Sequence, residues 1–121
     1  MEANLVQKKV IIGRKDVIKY QLLTYCFLEK IQLSNNELEC LTHLGLNGES
    51  ELSTFCKTAV KNNIFKTAQT VRNFLNKASK KKLILKTGDS KKLINLTPEL
   101  KVQTEGNIIL DYKIIHVTKE K

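Results

Sequence analysis

Nine side chains between Leu52 and Gly88 carry positive charge and none carries negative charge: Lys57, Lys61, Lys66, Arg72, Lys77, Lys80, Lys81, Lys82 and Lys86. Ammonium and guanidinium groups gathered this way neutralise phosphates and release their condensed counterions, so the chemistry they offer is binding to a polyanion. The chain holds 21 cations and 12 anions, a net charge of +9, and 12 cations and 12 anions lie outside the stretch. A composition rich in Lys, Asn and Ile accounts for many lysines. It does not account for 37 consecutive residues without a carboxylate when carboxylates occur on both sides. The same stretch carries the carboxamides Gln69, Asn73 and Asn76. A carboxamide can make paired hydrogen bonds to an adenine edge, which a lysine cannot.

Other chemistries find little support. No Gly-rich phosphate loop with a following Lys-Ser/Thr, no G-x-S-x-G and no metalloprotease helix is present. Cys40 and His43, three apart on a Leu-rich segment, read as core or boundary positions rather than a nucleophile and its base. His116 in an apolar strand reads as structural. Cys26, Cys40 and Cys56 are odd in number, widely spaced and set in apolar patterns, so they are expected as buried thiols of a reducing compartment, with no zinc spacing. No enzyme activity and no cofactor are expected. Lys8 and Lys9 precede only Val10 to Ile12, too short an apolar run for a signal core or a membrane span, and a soluble cytoplasmic protein is expected.

The elements that must position these groups follow from periodicity. At 121 residues and 41% hydrophobic, the sequence suits one domain over 1–121, with a core at 34–100, an N-terminal strand and helix over 4–32 and a C-terminal strand over 108–117. The β-branched run at 4–12 predicts a strand ending at Gly13, and Asp16 is the expected cap of a helix over 17–32. That helix has two apolar stripes: Ile18, Leu22 and Tyr25 on one side, Tyr20, Leu23, Phe27 and Ile31 nearly opposite. Both call for cover, which either the domain itself or a second copy of the chain can supply, so a homodimer through this helix or through the terminal strands is one expectation.

Ser34-x-x-Glu37 is a capping box opening a second helix on Leu38, Leu41 and Leu44, with Gly45 and the turn Leu46-Asn47-Gly48 as its expected stop. A third helix from about Ser50 to Lys61 carries the cleanest amphipathic spacing in the chain, Leu52, Phe55, Cys56, Ala59 and Val60. Thr67 can cap a fourth helix to about Lys81. Its apolar face is Ala68, Val71, Phe74, Leu75 and Ala78, and its opposite face holds Lys66, Gln69, Asn73, Asn76 and Lys80, flanked by Thr70, Arg72 and Lys77. Residues 83–86 and 93–96 read as a hairpin around the polar loop 87–92, and Thr97-Pro98-Glu99-Leu100 as one helical turn. A strand over 108–117 can pair with the N-terminal one, and the 101–107 connection is the expected flexible joint.

The succession helix, helix, turn, basic helix, hairpin over 34–97 resembles the winged helix-turn-helix fold, an α+β class that is mainly helical with a β-hairpin wing, here with short N- and C-terminal strands added. Asp89-Ser90-Lys91, followed by Leu96-Thr97-Pro98, is similar to the wing signature of MarR-type regulators, in which an Asp, a cation two residues on and a later Leu-Thr frame the hairpin. Lys91 stands where that family usually has Arg. Its members dimerise through helices at both ends, whereas this chain reads as beginning and ending in strands.

The resemblance implies that the fourth helix enters the major groove of double-stranded DNA while the wing rests on the neighbouring backbone or minor groove. Lys66, Gln69, Thr70 and Asn73, near the start of the helix capped by Thr67, are then the candidates for base contact, with Asn76 further along the same face. Lys77, Lys80, Lys81, Lys86, Lys91 and Lys92 are the candidates for phosphate contact. Arg72 is the one Arg of the basic stretch, so bidentate reading of guanine is limited and A·T-rich or weakly specific recognition is expected. Two functions fit: a sequence-selective duplex-DNA binder acting as a small transcription regulator, or a winged-helix assembly component, as in phage or plasmid replication or a virion, that meets protein or nucleic acid without reading sequence. An ordinary solvated helix face and a plain surface hairpin are the rival readings of the same residues.

Overall fold

The computed structural model describes the backbone of residues 2–100 and 108–118, and the side chains of 13–100, Lys113 and Ile115. It is an α+β arrangement of four helices with one three-stranded antiparallel sheet and one two-stranded antiparallel ribbon. The 101–107 connection lies outside the described residues.

The ribbon pairs β1 (Glu2–Ile12) with β5 (Ile108–Thr118), the pairing that their β-branched composition favours, in a register that sets Val6 opposite Ile114 and Val10 opposite Leu110. The chain then enters α1 (Arg14–Leu28) at Gly13, which serves as N-cap without a side-chain bond; Asp16, expected as the cap, lies one turn inside, where its charge suits the helix dipole. One of the two apolar stripes of α1 is covered: Ile18 and Leu22 are fully buried. The other is open, with Tyr20, Leu23 and Phe27 exposed.

α2 (Asn35–Asn47) opens with the capping box that the sequence predicts. The Ser34 hydroxyl accepts the Glu37 N–H at 3.2 Å, and the Glu37 carboxylate accepts the Ser34 N–H at 2.9 Å. The helix does not stop at Gly45. It runs on to Asn47 and is capped at Gly48, whose φ of 74° suits glycine. Gly45 serves packing instead, because a Cβ there would lie 2.7 Å from Leu96 Cδ1 and 2.8 Å from Ile18 Cγ2. The absence of a side chain lets α1, α2 and the sheet meet at one point. On the same helix the hydroxyl of Thr42, fully buried, donates to the Leu38 carbonyl at 2.7 Å, so no orphan polar group enters the core.

The expected third helix begins two residues late. Ser50 and Glu51 form a short strand, β2, paired with Ile94 and Leu93 of β4 (Leu93–Leu96), and α3 (Leu52–Lys61) follows. α4 (Ala68–Lys80) is capped by Thr67, whose hydroxyl accepts the Thr70 N–H at 3.1 Å. It buries Val71, Phe74, Leu75 and Ala78, while Ala68 at its start is exposed. β3 (Ile84–Thr87) pairs with β4, and the sheet order is β2-β4-β3. A 3-10 turn, Asp89–Lys91, closes this hairpin, and a second one, Pro98–Leu100, follows β4.

Three helices end alike. After α1, α3 and α4 the chain turns through a left-handed residue, Lys30, Asn63 and Lys82, with φ near 60° in each case (59°, 59° and 61°). The next residue, Ile31, Ile64 or Leu83, donates its N–H back to the carbonyl of Cys26, Ala59 or Ala78 at 2.8 to 3.0 Å. This satisfies carbonyls that the helix leaves unpaired, and the apolar residue after each turn folds back onto the helix it follows. Ile64 and Leu83 join the buried cluster formed by Ile18, Leu22, Leu41, Leu44, Phe55, Leu75 and Ile94. Burial there raises the Cys40 thiol to about 12, and it raises the Cys26 and Cys56 thiols as well.

Candidate nucleic-acid interface

Because Val71, Phe74, Leu75 and Ala78 hold one side of α4 in the core, the other side is fixed outward: Gln69, Asn73, Asn76, Lys77 and Lys80 are all exposed. The helix has 13 residues, so the ridge runs for roughly 20 Å at about 1.5 Å per residue. A helix of that girth fits a DNA major groove about 12 Å wide. Lys66 and Thr67 stand exposed at its N-terminal end, where the Thr67 and Thr70 hydroxyls lie 2.8 Å apart.

The hairpin is set against this ridge. Lys86 Nζ on β3 donates to Asn76 Oδ1 on α4, so the first hairpin strand is tied to the helix by a polar contact as well as by the buried Leu83 and Ile84. Between them runs an open groove of about 600 Å3 whose walls include Asn76, Lys80, Lys82, Lys86 and Lys91, with Glu99 at its edge. Four ammonium groups around a groove with one carboxylate make it cationic. Among the described residues, Lys66, Lys80, Lys81, Lys82, Lys86, Lys91 and Lys92 form no ion pair. The loop that carries Lys91 is tight: Gly88 has φ 81°, and Ser90 and Lys91 have φ 58° and 53°.

Not every predicted residue joins this surface. Arg72 is half-buried and turned toward α3, donating from Nη2 to Ser53 Oγ at 3.2 Å. Lys81 lines a separate depression with Tyr25, Glu29 and Lys30 at the end of α1. Lys77 stands 3.9 Å from Glu37 Oε2 on α2, so a carboxylate from outside the basic stretch reaches its flank. Lys92 is exposed at the loop end of the hairpin, where its carbonyl accepts the Leu52 N–H at 2.7 Å. Lys66 and Thr70 border a shallow, largely apolar hollow of about 650 Å3 with Phe65 and Ile64.

One groove residue escaped the reading of individual positions. Lys82 sits one past the C-cap of α4, where helical periodicity no longer applies, and the left-handed turn swings it between helix and hairpin. Its signal in the sequence is membership of the triplet Lys80-Lys81-Lys82 immediately before the apolar Leu83.

The outward carboxamides are already engaged. Gln69 Nε2 donates to Asn73 Oδ1 at 2.9 Å, one turn on, and the Asn76 oxygen takes Lys86. Among the described residues no three His, Cys, Asp or Glu side chains gather as a metal site requires, and no helix is long and apolar enough to cross a membrane. Comparison with known proteins finds no matching family model, no matching curated protein and no matching solved structure.

Proposed function

We propose that the chain is a winged-helix protein that binds double-stranded DNA, with α4 in the major groove and the β3–β4 hairpin as a wing on the adjacent backbone or minor groove. The observation that carries this reading is the continuity between helix and hairpin: Asn76, Lys80, Lys82, Lys86 and Lys91 share one groove, and the exposed face of α4 leads into it. The order α2, β2, α3, α4, β3, β4 with sheet order β2-β4-β3 supports the same reading, since it is the arrangement that presents a basic helix beside a two-stranded wing. The lysines supply phosphate contacts and affinity; Gln69, Thr70 and Asn73 are the groups able to read bases. In this role the protein is a small transcription regulator that acts by occupying its site.

One observation favours a second reading. Gln69, Asn73 and Asn76 have partners within the chain and Arg72 is held by Ser53, so base readout requires breaking bonds that phosphate contact does not. A sequence-blind role in assembly needs only the lysines.

Titration against duplexes of differing sequence at several salt concentrations separates the two. A regulator prefers some duplex by about 10³ or more over bulk DNA, whereas a sequence-blind binder gives a steep salt slope common to all duplexes. No binding to any duplex at low salt would overturn the regulator and would leave an assembly role only through protein or single-stranded nucleic acid.

A further inference from the structure

The strand β5 pairs with β1 along one edge, and among the described residues no strand lies along its other edge. The outer edge of β1 is open in the same way. Such an edge presents a row of unpaired N–H and C=O groups that a further strand can satisfy. The two edges differ in what their sequences invite.

Lys8 and Lys9 stand together in β1. A twofold pairing of β1 with itself centred on either one sets lysine opposite lysine, and one centred on Gln7 sets Lys8 opposite Val6 and Lys9 opposite Leu5. None of these gives a lysine its acid, and lysines of this kind are what keeps a strand edge unpaired. In β5 the order is Ile108-Ile109-Leu110, then Asp111-Tyr112-Lys113, then Ile114-Ile115. About Tyr112 this strand is symmetric in apolar character and opposite in charge. Reversed onto a copy of itself with Tyr112 opposite Tyr112, it sets Asp111 opposite Lys113, Leu110 opposite Ile114 and Ile109 opposite Ile115. Opposite charges, paired aliphatics and paired aromatics are the cross-strand combinations that stabilise sheets. A parallel pairing in register would set Asp111 beside Asp111 and Lys113 beside Lys113.

The register of the ribbon leaves room for these pairs. Lys113 is exposed and has Gln7, not a carboxylate, at its own register position, while Asp111 stands opposite Lys9. Ile115 is exposed, with Leu5 as its one register partner.

We propose that β5 pairs with β5 of a second copy of the chain, antiparallel about a twofold axis at Tyr112, to give a continuous sheet in the order β1-β5-β5-β1. Lys9, Asp111, Lys113 and Gln7 then form one row across the sheet, in which the carboxylate has a cation on each side. Leu5, Ile115, Ile109 and Ile11 form another, wholly aliphatic. The pairing consumes the self-complementary edge of each copy and leaves the lysine-bearing edges outermost, so the assembly closes at two copies. It does not rest on the nucleic-acid reading.

The test is sedimentation equilibrium of the full chain without nucleic acid, over about 1 to 100 μM, a range that brackets the dissociation constants of moderate interfaces. A dimer is expected. Lys113→Asp sets acid opposite acid across the axis and Asp111→Lys sets base opposite base, so each should weaken the dimer by about tenfold or more, two pairs changing sign together. An equimolar mixture of the two variants should associate again, because one then supplies the acids and the other the bases. Lys113→Asp keeps Asp111 opposite Lys9 within the ribbon, and its circular dichroism melt should stay cooperative. A second measurement reads the register: Tyr112→Cys should form a disulfide-linked dimer on mild oxidation, since facing cross-strand residues have Cα atoms about 4.5–5.5 Å apart, whereas Lys8→Cys on the outer edge should not. The native Cys26, Cys40 and Cys56 thiols are buried and do not compete. A wild-type chain that stays monomeric across the range overturns the proposal. So does a dimer indifferent to Lys113→Asp, a mixture that fails to associate, or crosslinking through Lys8→Cys in place of Tyr112→Cys. Growth beyond two copies overturns it as well, since it would mean that β5 of one copy pairs with β1 of the next.

Discussion

Lys86 on β3 donates its ammonium to the Asn76 carboxamide on α4, joining the hairpin to the exposed side of the helix. The contact links two side chains ten residues apart in sequence, and both wall the same cationic groove. Asn76 therefore has a use that does not require it to touch a base: it holds an ammonium group at a fixed place.

A double-mutant cycle on duplex affinity isolates that role. Lys86→Met removes a charge and should lower affinity and salt slope together. Asn76→Ala alone should weaken binding by a few-fold, with about 0.5–1 kcal/mol of coupling between the two sites, and should have little effect once Lys86 is gone. Additive losses would mean that Asn76 contacts the duplex independently.

Lys80 and Asn73 lie on the same face of α4 but differ in what they offer. Lys80→Ala should weaken every duplex alike and lower the magnitude of the salt slope by about 0.9, the signature of one lost phosphate contact. Asn73→Ala should leave the slope unchanged and remove about 1–3 kcal/mol of discrimination at one base pair. Fluorescence anisotropy on a panel of duplexes measures both, and identical effects on all duplexes from the two variants would remove Asn73 from the set of base-reading residues.

What could be read from the sequence is what local chemistry determines. The Ser34–Glu37 capping box and the Phe55, Cys56, Ala59 spacing of α3 depend on neighbours three and four residues away, so they are legible in the sequence. Gly45 misled because glycine is a common helix stop, while its actual reason is contact with Ile18 and Leu96, on two elements distant in sequence. β2 has two residues and no period; it exists because β4 offers Ile94 and Leu93 as partners. The outward side of α4 was legible from its apolar side alone. The turning of Arg72 toward Ser53 was not, since nothing within one helical turn of Arg72 indicates it.

Glu39 gives a pH signature. Hydrogen bonds from Lys15 and Lys19, and the charges of both, hold its carboxylate at about 2 against burial that would raise it, below the ordinary 4.5. The cluster fastens α1 to α2, and His43 Nε2 also approaches Glu39 Oε1 at 3.3 Å. A folded pKa below the unfolded one means that the stabilisation is present above pH 4.5 and is lost as pH falls toward 2. Glu39→Gln should cost about 1–2 kcal/mol at neutral pH, a value discounted for the exposed ends of the lysines, and this difference from wild type should fade over that acid window. Urea denaturation at a series of pH values measures it, and a difference that stays constant down to pH 2 would count against the ion cluster as its cause.

Lys82 sets stability against binding. Its φ of 61° is costly for a residue with a Cβ, and the position is held by the bonds that end α4, from Lys82 N–H to the Ser79 carbonyl at 3.0 Å and from Leu83 N–H to the Ala78 carbonyl at 2.9 Å. Glycine relieves about 1–2 kcal/mol of that left-handed strain but gives back about 0.5–1 kcal/mol through the greater freedom of the unfolded chain. The net expectation is that Lys82→Gly stabilises the fold by roughly 0.5–1 kcal/mol, whereas Lys82→Ala, which keeps the strained backbone, does not. Both variants remove the same charge from the groove, so both should weaken duplex binding and reduce the salt slope by about 0.9. Thermal melts and salt-dependent titrations on the pair separate backbone from charge: equal melting temperatures would show that the turn carries no strain, and unchanged slopes would show that Lys82 does not face the phosphates.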